Sequence, residues 1–229
     1  MTVRLITRAD DELYSLINTA GKFGRAAKIL STLERERAAA PDDLEAAGRL
    51  ALAQMAALVG MAGDMGAHAI VTDAIESCGR VLALDPDHWV ARYARARLRT
   101  LAPSSYGSYA VQTDPGLAAA RQDLKYLVEL QERLPPQAYF TSTYAAAVIV
   151  DRLAGVSDRD TLGRLLEVLR EGPLGPVGLP AIGAVLCEPL ATVYASGGGG
   201  ARESVGAALA ALYGDLPAVT ALLRTVPAR

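Results

Sequence analysis

Apolar and polar positions alternate with a helical period almost from one end of the chain to the other. Leu13, Leu16 and Ile17 recur at three- and four-residue spacing behind Asp10 and Asp11, predicting a first helix that stops near Gly21. A second, over 23–40, turns Ala26, Ala27, Leu30 and Leu33 inward and the run Glu34, Arg35, Glu36, Arg37 outward, and Pro41 ends it. A third covers 44–61 with Leu50, Leu52, Met55, Leu58 and Val59 along a wide apolar face, and Gly60, Gly63 and Gly66 loosen the turn after it. The fourth, 67–84, ends at Asp85-Pro86; proline suits a helical first turn, so a fifth restarts at once over 88–101.

The rhythm then breaks at 103–115 (PSSYGSYAVQTDP) and resumes over 116–134, 137–154 and 158–171. The stretch 172–180, GPLGPVGLP, reads as a loop that could hinge the last third. A ninth helix over 181–196 should be kinked or interrupted at Pro189, and Gly197–Gly200 reads as a flexible linker before two short helices at 201–213 and 216–225. No segment shows convincing strand alternation, and the fold class is all-α.

Composition narrows the picture. Ala and Leu, the strongest helix formers, dominate an apolar content of 51%, while aromatics reach only 5%. A compact chain of 229 residues buries roughly 70–75% of its unfolded surface, so it needs no metal or disulfide to hold it together. A net charge of −2 excludes a generally basic nucleic-acid binder, and the apolar fraction excludes wholesale disorder. No apolar run approaches the roughly 20 residues of a membrane span, and the first residues lack the apolar core of a secretory signal. Cys78 and Cys187 lie in apolar, helix-like surroundings and read as buried free thiols. The expectation is a cytoplasmic protein.

Successive antiparallel helices suggest a repeat. Gly21-Lys22-Phe23-Gly24-Arg25-Ala26 reads as the turn inside a helical hairpin. Ala74, Cys78, Val81 and Leu84 before Pro86 read as the second helix of a unit with its closing proline. Ala120, Leu124, Leu127 and Leu130 repeat the pattern before Pro135-Pro136. This resembles the tetratricopeptide-repeat (TPR) family. The resemblance implies antiparallel helix-hairpin repeats, an α-solenoid, over 10–135. An irregular helical extension over 136–196 and capping helices over 201–229 would complete a single all-α domain, 1–229.

Catalytic signatures are sparse: there is no phosphate loop, nucleophile elbow, HExxH or CxxC. Asp64 and His68 stand at i, i+4 but read as a capping or solvated pair, so neither a metal nor a cofactor is expected. The fifth helix carries the most suggestive chemistry. Trp89, Tyr93 and Arg97 recur at i, i+4 and i+8 on one face, with Arg92, Arg95 and Arg99 on the adjacent stripe. Tyr106 and Tyr109 sit in the irregular connection nearby. Flat rings offer contact area and guanidinium forks hold carboxylates or phosphates, so Trp89, Tyr93, Arg97, Tyr106 and Tyr109 form the candidate binding surface. The TPR resemblance implies that Tyr93 and Arg97 face the concave groove. The alternative is that the aromatics pack between helices and the arginines pair with acids.

Three functions follow. The first is a non-catalytic interaction or scaffold module that binds a peptide or partner protein in a helical groove, with no nucleic-acid or membrane partner. The second is a helical-scaffold enzyme or small-molecule binder using a Tyr/Arg-lined pocket for an anionic ligand, with Asp114, Glu129, Tyr106 and His88 as available acid–base groups. The third is a self-assembling homo-oligomer subunit.

Overall fold

A computed structural model describes residues 3–20, 26–59, 67–104, 115–172 and 175–225. The described residues form eleven α-helices and no strand. They are α1 (Arg8–Thr19), α2 (Ala26–Ala39), α3 (Leu44–Val59), α4 (Ala67–Leu84), α5 (Trp89–Ser104), α6 (Pro115–Gln131), α7 (Thr141–Leu153), α8 (Arg159–Glu171), α9 (Pro180–Ser196), α10 (Gly199–Tyr213) and α11 (Pro217–Thr225). None of them is long and apolar enough to cross a membrane. The chain divides into two compact units, Met1–Asp123 and Leu124–Arg229, with the boundary inside α6.

In the first unit, local chemistry starts the helices where the sequence suggests. Thr7 and Asp10 form a reciprocal capping box at α1. Asp43 Oδ1 accepts the backbone N–H groups of Glu45 and Ala46 at the start of α3. At α5 the cap is an imidazole: His88 Nδ1 accepts the Ala91 N–H at 3.2 Å. The ring, 2% exposed, lies against Gly48, where a Cβ would come within 3.0 Å of Nε2. A side chain at Gly48 would crowd that ring by a few tenths of an ångström. Helix α3 packs on α1, α2, α4 and α5, and α4 on α5. Ala74, Cys78 and Val81 are fully buried on α4, whereas Leu84 is half exposed.

In the second unit, α7 packs on α8 and α9, α10 packs on the same two, and α11 closes against α9 and α10. A short 3₁₀ turn at Ala138–Phe140 precedes α7, so the helix expected over 137–154 is shorter. Helix α9 runs unbroken through Pro189, contrary to the expected interruption. Proline removes the N–H that would reach the Val185 carbonyl. The buried Ser142 hydroxyl donates to the Leu186 carbonyl at 2.5 Å and lies 3.1 Å from Tyr213 Oη. With its single proton used, Ser142 accepts from Tyr213, and one polar node joins α7, α9 and α10.

The linker expected at Gly197–Gly200 is a correction too. Helix α10 begins at Gly199 inside the run and buries Val205, Ala208, Leu209, Leu212 and Tyr213. Where α10 crosses α9, a Cβ at Gly206 would stand 2.9 Å from the Tyr194 ring. Packing this close seats α10 directly on α9. Of the expected hinge loop, 175–179 is described, and Val177 donates its N–H to the Leu212 carbonyl at 3.3 Å.

Candidate functional site

The face predicted from helical spacing exists, and it is interior. Trp89, Tyr93 and Arg97 share one side of α5 with exposures of 0%, 2% and 4%. The two rings stack at a centroid distance of 4.9 Å and an interplanar angle of 10°. Side chains this buried pack against the helices around them. Tyr106 and Tyr109 lie outside the described residues, as do Asp64 and Asp114. Among the acid–base candidates, His88 is committed to capping α5, and Glu129 is exposed on α6.

The adjacent stripe meets an acid. Asp123, 3% exposed, receives Arg95 bidentately, Nε at 2.8 Å and Nη2 at 2.6 Å. Arg92 Nη1 reaches it at 3.1 Å and Arg99 Nη1 at 2.9 Å. Burial and the neighbouring Arg95 pull the Arg99 guanidinium below its ordinary range, against the pull of Asp123. Three guanidiniums on one buried carboxylate form a structural clamp between α5 and the first half of α6. Beneath it lies Cys78, whose thiol burial pushes up to about 12. Cys187 rises to about 11 for the same reason. Neither thiol has the depressed value of a reactive cysteine.

The second unit holds a different arrangement that the sequence reading missed. The end of α6, the 134–137 connection, the start of α7 and one face of α8 enclose a cleft of about 430 Å³. Buried Gln131, Phe140, Thr141 and Tyr144 form its floor, and Leu134, Pro136 and Val168 add apolar wall. The rim is charged: Glu132 just after α6, and Arg164, Glu167 and Glu171 from α8. Arg164 pairs with Glu132 at 3.5 Å, and Glu171 pairs with Arg170 at 3.0 Å. Glu167 has no cationic partner among the described residues.

Below the rim, Gln131 is 4% exposed and its Nε2 donates to Thr143 at 2.8 Å. Its Oε1 accepts no hydrogen bond. Burial pushes the Tyr144 phenol above the ordinary tyrosine value; Glu132 and Glu167 push it the same way and Arg164 opposes them. The cleft therefore presents acceptors and aromatic faces under a predominantly negative rim. A trace of it was readable in the chain: Arg164, Glu167 and Glu171 fall at i, i+3 and i+7 on α8, and Tyr139, Phe140 and Tyr144 cluster just before it.

Among the described residues no three His, Cys, Asp or Glu side chains converge as metal ligands would. No family model, curated protein or solved structure matches this chain.

Proposed function

We propose that this protein is a non-catalytic binding module that takes a segment of a partner protein into the cleft bounded by α6, α7 and α8. The observation that carries the reading is the cleft itself. Its volume of about 430 Å³ suits a few side chains. Its floor is buried and aromatic, and its charged rim stays exposed, the division found in sites that combine contact area with orientation. The residues lining it include no nucleophile beside a base, which is what an enzyme reading would need. Its charge also runs against an anionic ligand, because three carboxylates stand around one guanidinium.

The TPR-like reading of residues 10–135 has support of its own in the first unit. There α1 packs on α3 and α3 on α5, while α2 and α4 each pack on the odd-numbered helices beside them. That is the neighbour pattern a row of helical hairpins produces. On this reading the repeats are a scaffold, and the binding chemistry lies in the second unit.

The test is peptide display on the immobilised full chain, counter-screened against Gln137→Trp, which puts an indole into the cleft from a non-helical wall position. Peptides that bind the parent and lose at least tenfold on the variant support the reading. Peptides that bind both equally, or no enrichment at all, overturn it.

A further inference from the structure

We infer that the cleft selects a lysine side chain of the partner segment, holding its ammonium between Glu167 and Gln131 and its stem against Tyr144 and Phe140. This inference rests on the reading of the cleft as a peptide site and names what that site recognises.

Three features of different kinds converge on the choice. The first is charge: of the three rim carboxylates, Glu132 and Glu171 each have an arginine, and Glu167 has none among the described residues. A cation entering beside Glu167 completes the pairing that the chain leaves open. The second is the orphaned acceptor. Gln131 is 4% exposed, its amide nitrogen is engaged with Thr143, and its Oε1 is buried with no donor. A buried acceptor left without a donor is costly, so a ligand that brings an N–H to Gln131 Oε1 gains that hydrogen bond. The third is the floor. Phe140 is 4% and Tyr144 7% exposed, giving a partly dry aromatic surface that favours a methylene stem and the face-on approach of a cation.

Geometry of the acceptors separates lysine from arginine. A guanidinium is a planar fork that matches the two oxygens of a single carboxylate. Here the acceptors come from different residues on different helices, an α8 carboxylate and an α6 amide oxygen. A compact ammonium with three diverging donors suits them better. Acetylation of the lysine removes the charge while keeping the stem, so an acetylated segment should lose the interaction.

The probe is the capped pentapeptide acetyl-Gly-Leu-Lys-Leu-Gly-amide, titrated calorimetrically into the full chain. Matched peptides carry norleucine, Nε-acetyllysine or arginine at the central position, and n-hexylammonium serves as a free amine. The expected result is at least tenfold weaker binding for the norleucine and acetyllysine peptides and a smaller loss for arginine. Glu167→Gln should cost about fivefold for the lysine peptide and nothing for the norleucine one. Equal affinity for lysine and norleucine peptides overturns this inference while leaving a peptide site intact. Binding of n-hexylammonium with no binding of any peptide overturns the peptide reading and keeps the cation site. Lysine-dependent binding unaffected by both Glu167→Gln and Gln137→Trp places the recognition elsewhere and overturns both.

Discussion

The two units gather charge in opposite ways. In the first, Arg92, Arg95 and Arg99 all close on one carboxylate, Asp123, which is 3% exposed. In the second, Glu132, Glu167 and Glu171 line an open cleft; Arg164 pairs with Glu132, Arg170 with Glu171, and Glu167 is left over among the described residues. Arginines on a helix look like a recognition stripe in sequence, and acids scattered over two helices look like solvated surface. The fold pairs the arginines with an acid, the alternative their spacing also allowed, and gathers the acids around a cleft. A charge cluster with its counter-ion buried inside holds helices together; one whose excess lies on the rim of a cleft is available to a ligand.

The largest effect should come from removing the centre of the closed cluster. Asp123→Ala leaves three guanidiniums facing each other without their carboxylate. Breaking a buried ion pair by deleting one partner costs about 3–5 kcal/mol. Trp89 is the only tryptophan and is buried in the same unit, so its fluorescence during denaturation measures this loss directly. A loss under about 1 kcal/mol, the scale of exposed pairs, would mean the clamp is a surface feature and the contrast between the units is false.

Backbone approach comes next. At Gly206 a Cβ would stand 2.9 Å from the Tyr194 ring, so Gly206→Ala must displace the Tyr194 ring or the helix that carries it, at a cost of about 1–3 kcal/mol. Gly163 on α8 is the control, with nothing within 4 Å of its virtual Cβ. There the same change should stabilise by up to about 1 kcal/mol, because alanine is the better helix former. Thermal unfolding followed by circular dichroism separates the two. Equal stabilisation in both variants would show that α10 docks as loosely as the glycine run at its start suggests.

How much of this was legible in the chain follows from the range of each signal. Helix starts and stops are local, so the break at Asp85-Pro86 and the run from Ala67 to Leu84 could be read directly. Spacing also placed Trp89, Tyr93 and Arg97 on one face, but a period of 3.6 residues does not say which way a face points. That depends on α3 and α4, whose packing on α5 is a tertiary fact. The Asp123 clamp joins residues 24 to 31 positions apart, and the cleft needs three helices to meet. Pro189 and Gly197–Gly200 show the converse error. Local propensity argued for an interruption and a linker, and packing of α9 and α10 against their neighbours overrode both.

Acid should act on the first unit before it reaches any carboxylate. Burial holds the His88 ring below its ordinary value of 6.5; Arg4 adds to that effect, and Asp85 and Glu45 oppose it. Its Nδ1 must stay unprotonated to accept the Ala91 N–H. The unfolded chain therefore takes up the proton first as pH falls. The contribution is complete above about pH 6.5 and is lost progressively below it, toward the lowered folded value. Asp10 adds a second window: burial raises it, but Arg4 and Thr7 outweigh that, and its net value falls below 3.8. Its contribution is complete above about pH 4 and is lost as pH drops through its folded value. His88→Asn keeps a capping acceptor without a titrating ring. Denaturation midpoints measured from pH 7.5 to 5 by Trp89 fluorescence should fall in the parent and stay nearly flat in the variant. Parallel slopes would assign the acid sensitivity to another group.

The smallest change in stability is the one that most directly tests the open cluster. Glu167 is exposed and unpaired among the described residues, so Glu167→Gln should move stability by no more than about 0.5 kcal/mol, in contrast to Asp123→Ala. The same substitution should still be felt by the floor of the cleft. Glu132 and Glu167 hold the Tyr144 phenol up, so removing a negative charge lets it ionise more easily, and its alkaline titration should move down. Arg164 acts in the opposite sense, and Arg164→Gln should move the titration up. Following the Tyr144 ring resonances with pH in both variants reads these shifts separately from the other eight tyrosines. Opposite displacements would establish that the rim charges act on the phenol through the cleft. Movement in the same direction, or none, would mean that solvent screens the rim from the floor, and the negative field that should attract a cation would then be absent.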